Sequence, residues 1–271
     1  MSEILPGSAP IGLQSIPVPD APPIIRLVGV ETALLGRQIL DGVNLDIPPR
    51  QITVIIGLSG AGKSVILRHM IGLTRPDRGQ VLVDGVDINL LSRKGLYAIR
   101  DRFGVMFQTG ALFESMTVFD NVAFPLREKT KMGEGEIREK VDRVLALVGL
   151  PDNGGKYPDE LSGGMVRRIA LARAIVTDPE IIFFDEPTTG LDPIIRNSIL
   201  KLLCDTWREF SFTMVMVSHD IPEIFNWCHN LVVVRAGKIA AAGPTASILA
   251  LEDPFVQQLV TGDFAGPVSL L

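Results

Sequence analysis

Residues 52–64 read ITVIIGLSGAGKS, an apolar run that leads into a glycine-rich loop ending in Lys63 and Ser64. The run is apolar on both faces, which fits a strand in the centre of a parallel sheet covered on each side. Glycines let the loop backbone fold tightly, so that its N–H groups can point at phosphate oxygens. A helix after the loop would direct its positive N-terminal end to the same place. The stretch predicts a phosphate-binding loop at the end of a buried strand.

The residues predicted to contact a nucleotide are continuous in sequence: Gly57, Leu58, Ser59, Gly60, Ala61, Gly62, Lys63, Ser64 and Val65. Lys63 supplies a full positive charge to the β and γ phosphates, and the Ser64 hydroxyl can ligate Mg²⁺. The alternative is a glycine-rich strand-to-helix turn without a ligand. Strand, loop, Lys-Ser pair and helix occur together here, and this combination favours nucleotide binding.

A second apolar run, residues 181–184, ends in the carboxylates Asp185 and Glu186. A strand of this kind places them at the carboxyl edge of the sheet, where ligands of open α/β sheets bind. Asp185 can hold a metal, directly or through water, and Glu186 can orient or deprotonate an attacking water. Alone, an Asp-Glu pair at a strand end is more often a turn or a helix cap. The phosphate loop favours the functional interpretation.

The remaining pattern indicates an α/β sheet with crossover helices. Residues 214–217 form a third apolar run, and helical segments lie between the runs. Residues 137–148 place their apolar side chains on one helical face, and the chain from about 109 to 175 is predicted to be a helical insertion. Residues 231–234 and 238–241 flank Ala236-Gly237, which predicts a hairpin.

Composition limits the class of protein. The 271 residues are 46% hydrophobic and 21% charged, which excludes a mainly disordered chain. The net charge of −5 gives no general attraction to nucleic acid. No apolar run reaches the roughly 18–20 residues needed to cross a bilayer. The first 25 residues contain no Lys or Arg, so the positive start of a secretory signal is missing and a cytoplasmic location is expected.

Three segments are expected along the chain. Residues 1–23 are rich in proline and predict a flexible tail, residues 24–250 a globular domain, and residues 251–271 a C-terminal extension. The extension could cap a neighbouring subunit or form a loosely ordered tail. Cys204 and Cys228 are too few for a disulfide framework or an unaided zinc site, and both are expected to be small buried apolar residues.

Residues 161–165 read LSGGM and begin a predicted helix. Ser162 is a suitable N-cap, and Gly163 and Gly164 leave backbone N–H groups open to an anion. A plain capped helix explains the same residues equally well.

The phosphate loop, then Leu-Ser-Gly-Gly, then the carboxylate strand resemble, in this order, the ATPase subunit of ABC transporters. Ser162 precedes Asp185 by 23 residues, which agrees with that family, and the resemblance covers residues 25–250. It implies an α/β fold: a P-loop NTPase core with a mainly parallel central sheet, an N-terminal antiparallel β portion and an inserted α-helical subdomain. It also implies an ATPase of the translocase type that uses ATP and Mg²⁺.

The resemblance assigns roles to three further residues. Gln108 matches a glutamine that senses Mg²⁺ and the membrane partner, Asp192 lies in a loop that crosses to a second subunit, and His219 matches the histidine that contacts the γ-phosphate. His69 and His229 match no motif and are expected to be structural. The catalytic candidates are therefore Lys63, Gln108, Glu186 and His219, and the metal candidates Ser64, Gln108 and Asp185.

In such a family one subunit does not close its own site, because residues 161–164 lie far from the phosphate loop of the same domain. The resemblance implies a head-to-tail homodimer with two ATP molecules between the subunits. Ser162, Gly163 and Gly164 of one chain would meet the γ-phosphate held by the other. An integral membrane permease is the implied partner.

Residues 107–113, FQTGALF, and 117–128, TVFDNVAFPLRE, carry a closer resemblance to the MlaF-like, toluene-tolerance branch. Met165, where many relatives have Gln, agrees with it. That branch implies phospholipid transport between the two membranes of a Gram-negative bacterium, with a peripheral position on the cytoplasmic face of the inner membrane. The implied partners are an MlaE-like permease, periplasmic lipid-binding subunits and small cytoplasmic subunits, without nucleic acid.

An exposed surface for the membrane subunit is expected within the same stretch. Phe113, Met116 and Phe119 are candidates for receiving one of its helices, because they are apolar residues in a segment that reads as a loop.

Two segments depart from the family pattern. Leu34 and Leu35 stand before Gly36, where relatives place an aromatic residue for the adenine, and Val65 replaces a common Ser or Thr.

Three alternative functions stay open: an importer of a polar solute, an ABC ATPase without transport, and a nucleotide switch without turnover. The presence of Glu186 with His219 argues against the switch.

Overall fold

A computed structural model describes residues 21–261. The predicted proline-rich tail, residues 1–23, lies almost entirely outside this range, and so do the last ten residues of the predicted C-terminal extension. Within the described range the chain forms two β-sheets with helices around them.

The smaller sheet is antiparallel and comes from the first part of the chain, as the resemblance implied. Numbered in chain order, its strands are β1 (Ile25–Leu34), β2 (Arg37–Ile47), β4 (Arg78–Val83) and β5 (Val86–Asp87). They lie in the order β2-β1-β4-β5.

The larger sheet is mainly parallel and carries the strands predicted from the apolar runs. Its strands are β3 (Ile52–Gly57), β6 (Phe103–Met106), β7 (Ile181–Asp185), β8 (Thr213–Val217), β9 (Asn230–Arg235) and β10 (Lys238–Pro244). Their spatial order is β10-β9-β3-β8-β7-β6. Only β9 and β10 pair antiparallel in this sheet, as the predicted hairpin requires.

Helices cover the parallel sheet. They are α1 (Lys63–Met70), α2 (Arg93–Arg100), α3 (Val118–Lys129), α4 (Glu134–Leu147), α5 (Gly163–Ile175), α6 (Pro193–Phe210), α7 (Thr245–Leu249) and α8 (Pro254–Thr261). The packing of α3, α4 and α5 against one another is built from residues within the predicted helical insertion. Within residues 21–261, none of the helices combines the length and the apolar character that a membrane span requires.

The core follows the alternation of β3. Ile52, Val54 and Ile56 face the cluster that contains α3 to α6, while Ile55 faces the cluster shared with the antiparallel sheet. All four side chains are fully buried. Burial on both faces explains why this strand reads as a continuous apolar run.

Both cysteines and two histidines are structural, as expected. Cys204 and Cys228 are buried and unpaired, and burial raises the pKa of each thiol to about 12. His69 lies on α1 and faces β1, where its Nε2 is 2.8 Å from the Thr32 hydroxyl. His229 accepts a hydrogen bond from the Ile52 backbone N–H at the start of β3, 3.0 Å away.

The described part of the C-terminal extension packs on the domain. Phe255 of α8 is buried, and the Arg235 guanidinium lies 4.6 Å from the centre of its ring. This stacking joins α8 to the end of β9.

Candidate nucleotide site

The strand order brings four distant segments to the same edge of the parallel sheet. The phosphate loop follows β3, His219 follows the neighbouring β8, Glu186 follows β7, and Gln108 follows β6 at the edge of the sheet. Because parallel strands share their carboxyl edge, these predicted site residues lie together.

Close packing fixes the backbone of the phosphate loop. Gly62 has a φ of +105° and leads into α1. A Cβ atom there would lie 2.7 Å from Leu40 Cδ2 and 3.1 Å from the Ile39 carbonyl oxygen. Both the left-handed conformation and the lack of space therefore require glycine.

The hairpin between β9 and β10 secures the same loop from the other side. Gly237 donates its N–H to the Ala61 carbonyl at 3.1 Å and accepts from the Asp41 N–H at 3.0 Å. One residue thus connects the phosphate loop with strand β2 of the antiparallel sheet.

Backbone carbonyl groups hold Lys63 in place, and no carboxylate of residues 21–261 forms an ion pair with it. Its Nζ donates to the carbonyl oxygens of Gly57 and Leu58, each at 2.9 Å, and its side chain is buried. Burial lowers the pKa of Lys63, while the nearby Glu186 and Asp185 raise it. The ammonium group is therefore already folded over the loop where phosphates would bind.

Ser64 and Asp185 meet at the start of α1. The serine hydroxyl donates to Asp185 Oδ1 at 3.0 Å, and burial raises the pKa of this carboxyl group. Hydroxyl and carboxylate oxygens are hard ligands of the kind that Mg²⁺ prefers. With the amide oxygen of Gln108 at the same edge, this donor set fits a magnesium ion.

The Glu186 carboxylate is the centre of a hydrogen-bonded cluster. Its Oε2 accepts from Gln108 Nε2 and from the Thr189 hydroxyl, each at 3.1 Å, and its Oε1 lies 2.7 Å from His219 Nε2. Glu186 itself has a φ of +52°, in the left-handed region. We call Gln108, Glu186, Thr189 and His219 the hydrolytic cluster.

The residues expected to reach a second subunit lie at the starts of two helices, outside this cluster. Ser162 caps α5 by accepting from the Met165 N–H at 3.3 Å, which confirms the predicted N-cap. Asp192 caps α6 by accepting from Ile194 and Ile195, each at 3.0 Å. Within residues 21–261, no hydrogen bond joins Ser162 or Asp192 to the phosphate loop.

Residues 40–189, more than half of the chain, match the sequence profile of the ABC transporter family. The chain belongs to the ABC transporter family. It is an ATP-binding, ATP-hydrolysing subunit of this family, in agreement with the phosphate loop and the carboxylates beside it.

Three relatives align with most of the length of this chain. The intermembrane phospholipid transport system ATP-binding protein MlaF of Escherichia coli K12 is 43% identical over 86% of this chain and 87% of its own. MlaF of Haemophilus influenzae is 43% identical over 86% of this chain and 88% of its own. The probable ribonucleotide transport ATP-binding protein mkl of Mycobacterium leprae is 43% identical over 91% of this chain and 71% of its own.

Solved ABC ATPases share the fold. CbiO1 from Clostridium perfringens, part of the transporter complex cbiONQ, has a TM-score of 0.78 and 31% identity, covering 85% of this chain and 92% of its own. The dimeric bacterial cassette MJ0796 has a TM-score of 0.75 and 30% identity, covering 82% of this chain and 98% of its own.

Sequence reasoning missed the residues that hold the ABC ATPase loops in position. Thr188 donates to the Asp220 carboxylate, which also accepts from Arg196 of α6 at 3.2 Å. Asp220 directly follows His219, so this contact fixes the loop that carries the histidine. The signal was available, since the polar residues after β7 and β8 fall beside Glu186 and His219 in the sequence.

Arg173 was missed as well. From α5 it donates to the Gly110 and Ala111 carbonyl oxygens, each at 2.8 Å, just after Gln108. Burial lowers the pKa of Arg173. The bend after Gln108 is thus anchored to the helix that Ser162 begins.

An apolar groove of about 490 Å³ lies beside Gln108. Its lining includes Tyr97, Phe103, Val105, Phe107, Phe113 and Phe124. Phe113 is 41% exposed and packs on Phe124, with ring centres 5.0 Å apart. Asn121, fully buried, fixes the loop by bonding the backbone N–H and C=O of Phe113 at 2.8 and 3.0 Å.

The expectation that Phe119 lies in a loop is wrong. Thr117 caps α3 by accepting from the Asp120 N–H at 3.1 Å, so Phe119 falls in the first helical turn. Its ring is partly buried, with the Arg138 guanidinium 4.9 Å from its centre. Met116 is also partly buried, so Phe113 is the most exposed of the three residues expected to receive a helix of the membrane subunit.

Proposed function

We propose that this chain is the ATP-hydrolysing subunit of a complex that moves phospholipid between the inner and outer membranes of a Gram-negative bacterium. The observation that carries the proposal is the 43% identity to E. coli MlaF over 86% of this chain and 87% of that protein. Residues 107–113 and 117–128, which carry the same resemblance, supply part of the lining of the groove beside Gln108.

We assign the nucleotide to the phosphate loop, residues 57–65, with Lys63 at the β and γ phosphates. Glu186 accepts a proton from water as the water oxygen attacks the γ-phosphorus. The bond from that phosphorus to the ADP oxygen breaks, and inorganic phosphate leaves. His219 contacts the γ-phosphate, so it exchanges its present contact with Glu186 for one to the substrate.

Ser64, Asp185 and Gln108 would hold Mg²⁺, because they supply oxygen donors beside the phosphate loop. When bound, the ion neutralises charge on the phosphate oxygens. Gln108 donates its amide N–H to Glu186 at 3.1 Å, so a metal held by its amide oxygen would share this side chain with the base.

Ser162, Gly163, Gly164 and Asp192 belong to the nucleotide site of a second copy. They lie on exposed or half-exposed ends of α5 and α6, in a head-to-tail dimer with two ATP molecules between the chains. Moving a two-state dimer from about 1:99 to about 99:1 closed takes about 5.5 kcal/mol of differential binding. Charge-assisted contacts made only in the closed dimer can supply it, and hydrolysis removes them.

The apolar groove is assigned to a helix of an MlaE-like permease, which positions this chain on the cytoplasmic face of the inner membrane. Gln108 and Phe113 belong to one segment, anchored by Arg173 and Asn121. Opening of the dimer therefore moves the groove, and with it the permease helix. Periplasmic lipid-binding and small cytoplasmic subunits complete the proposed complex.

The mycobacterial relatives support a second candidate. They are named probable ribonucleotide transport ATP-binding proteins, and the M. leprae protein has the same 43% identity over 91% of this chain. Import of a polar solute would use the same nucleotide site.

The test is to purify the affinity-tagged chain from detergent-solubilised membranes, identify the copurifying subunits, and analyse the bound lipid. An integral membrane subunit carrying phospholipid, with ATP-dependent phospholipid transfer after reconstitution into vesicles, is expected. The tagged Phe113→Glu variant is the matched control that should lose the membrane subunit. A complex that carries a polar solute, and transfers no lipid, would replace this function by the second candidate.

A further inference from the structure

The Glu186 carboxylate has three hydrogen-bonding partners, but two of them have other tasks in the proposed reaction. The Gln108 amide oxygen is assigned to the metal, and His219 is assigned to the γ-phosphate. Thr189, whose hydroxyl lies 3.1 Å from Glu186 Oε2, has no such task. Its bond to Glu186 is therefore the one in the hydrolytic cluster whose donor side chain contacts neither the metal nor the nucleotide.

Thr189 is held from a different part of the molecule. Its carbonyl oxygen accepts from the Arg167 guanidinium at 3.1 Å, across 22 residues of sequence. Arg167 lies on α5, about one and a half turns after Ser162. Among residues 21–261, the buried Nε of Arg167 has no acceptor, and burial lowers the pKa of its guanidinium group. The Thr189 carbonyl is thus the contact that orients the guanidinium.

Helix α5 and these two bonds form a continuous path. The helix begins at the Ser162 cap and carries Arg167, Arg167 bonds the Thr189 carbonyl, and the Thr189 hydroxyl bonds Glu186. Ser162 is assigned to the nucleotide held mainly by the other chain, whereas Glu186 acts on the nucleotide of its own chain. The path therefore joins the two sites of a dimer.

We propose that Thr189 is a positioning residue for Glu186, and that Arg167 sets the position of Thr189 according to the engagement of α5. This inference rests on the proposed head-to-tail dimer and on Glu186 as the base. The side chain of Thr189 is solvent-exposed in the single chain, so neither bond depends on the hydrophobic core.

The first measurement is steady-state ATP hydrolysis by the assembled complex. Misplacement of a base by about 1 Å costs up to about 100-fold, so Thr189→Ala should lower kcat by about 10- to 100-fold with KM almost unchanged. Thr189→Ser keeps the hydroxyl and should restore kcat to within about threefold of wild type. Equal kcat for Thr189→Ala and wild type, or failure of serine to rescue it, would overturn the proposal.

The second measurement is a double-variant cycle. Arg167→Met should lower kcat, and Arg167→Met with Thr189→Ala should be no slower than Thr189→Ala alone, because both break one path. Additive losses would show that Arg167 and Thr189 act independently. Arg168→Met is the matched control, since the neighbouring Arg168 bonds the Val148 carbonyl and Ser198 rather than the loop after β7. It should leave kcat near wild type.

Glu186→Gln separates this inference from the proposed function. Normal turnover in Glu186→Gln would show that Glu186 is not the base, which contradicts the proposed function. Lost turnover in Glu186→Gln, together with normal kcat in Thr189→Ala, would contradict only the positioning role of Thr189.

Discussion

The phosphate loop and the hydrolytic cluster lie at the same sheet edge, yet they are held in different ways. Backbone packing fixes the loop: Gly62 packs on β2, and the buried Lys63 bonds two carbonyl oxygens. The hydrolytic cluster is held by contacts between side chains, of which Gln108 and His219 are exposed. Contacts within one chain therefore fix the geometry of the phosphate loop. The side chains of the hydrolytic cluster can rearrange when a nucleotide or a partner binds.

The largest effect is expected from a substitution in the phosphate loop. Lys63→Ala removes the charge that we assign to the β and γ phosphates, so nucleotide binding or hydrolysis should be lost. ATP binding and phosphate release by the assembled complex measure this. Lys201→Ala is the control, because Lys201 is an exposed lysine paired with Asp205 on α6. Unchanged ATPase in Lys63→Ala would contradict the assignment of the loop.

A change in the hydrolytic cluster should separate binding from turnover. Glu186→Gln should lower turnover by about 10²–10⁴-fold, the range for loss of a general base, and leave ATP-bound dimers that do not open. Phosphate release and size-exclusion chromatography with Mg-ATP measure the two effects. The exposed Glu209→Gln is the control. If Glu186→Gln hydrolyses ATP normally, another group must accept the proton.

A substitution in the groove beside Gln108 should affect binding of the membrane subunit without affecting the phosphate loop or the hydrolytic cluster. Phe113→Glu places a charge on the apolar groove and should weaken copurification of the membrane subunit at least about tenfold, while ATP binding is retained. Leu90→Glu is the matched control, because Leu90 is 82% exposed and does not line the groove. Intact copurification of the Phe113→Glu variant would show that the permease docks elsewhere.

The smallest effect concerns the helix that follows the phosphate loop. Burial of His69, on α1 against β1, lowers the pKa of its imidazole, so the folded chain binds a proton there less readily than the unfolded chain does. The unfolded chain binds a proton below about pH 6.5, and the free energy of unfolding should therefore fall as the pH drops through that range. Denaturant titrations at about pH 5.5 and about pH 7.5 measure it. His69→Gln should reduce the dependence, and an unchanged slope would assign it to other groups.

The elements that could be predicted are those whose cause is local. Strands β3, β7 and β8 are buried on both faces, and each is a continuous apolar run in the sequence. The cap of α5 at Ser162 depends on residues three apart. The start of α3 had a comparable signal, Thr117 followed by Asp120, and neglect of it placed Phe119 in a loop.

The contacts of the hydrolytic cluster could not be derived from local pattern. Gln108 and Glu186 are 78 residues apart, and they meet because β6 lies beside β7. Thr189 gave a weaker signal, since a threonine after an Asp-Glu-Pro turn has many structural uses. Only the sheet order and the loop geometry show which side chains share the Glu186 carboxylate.

One consequence concerns the turn at Gly237. Its φ of +78° and the 2.4 Å separation between an added Cβ and the Ile39 carbonyl oxygen leave no room for a side chain. Its N–H bonds Ala61 of the phosphate loop and its carbonyl oxygen bonds Asp41 of β2, so displacement of either segment would disturb this residue. The hairpin tip thus contacts both the phosphate loop and the antiparallel sheet. A reporter group that measures relative movement of the two sheets should therefore be attached at a different position.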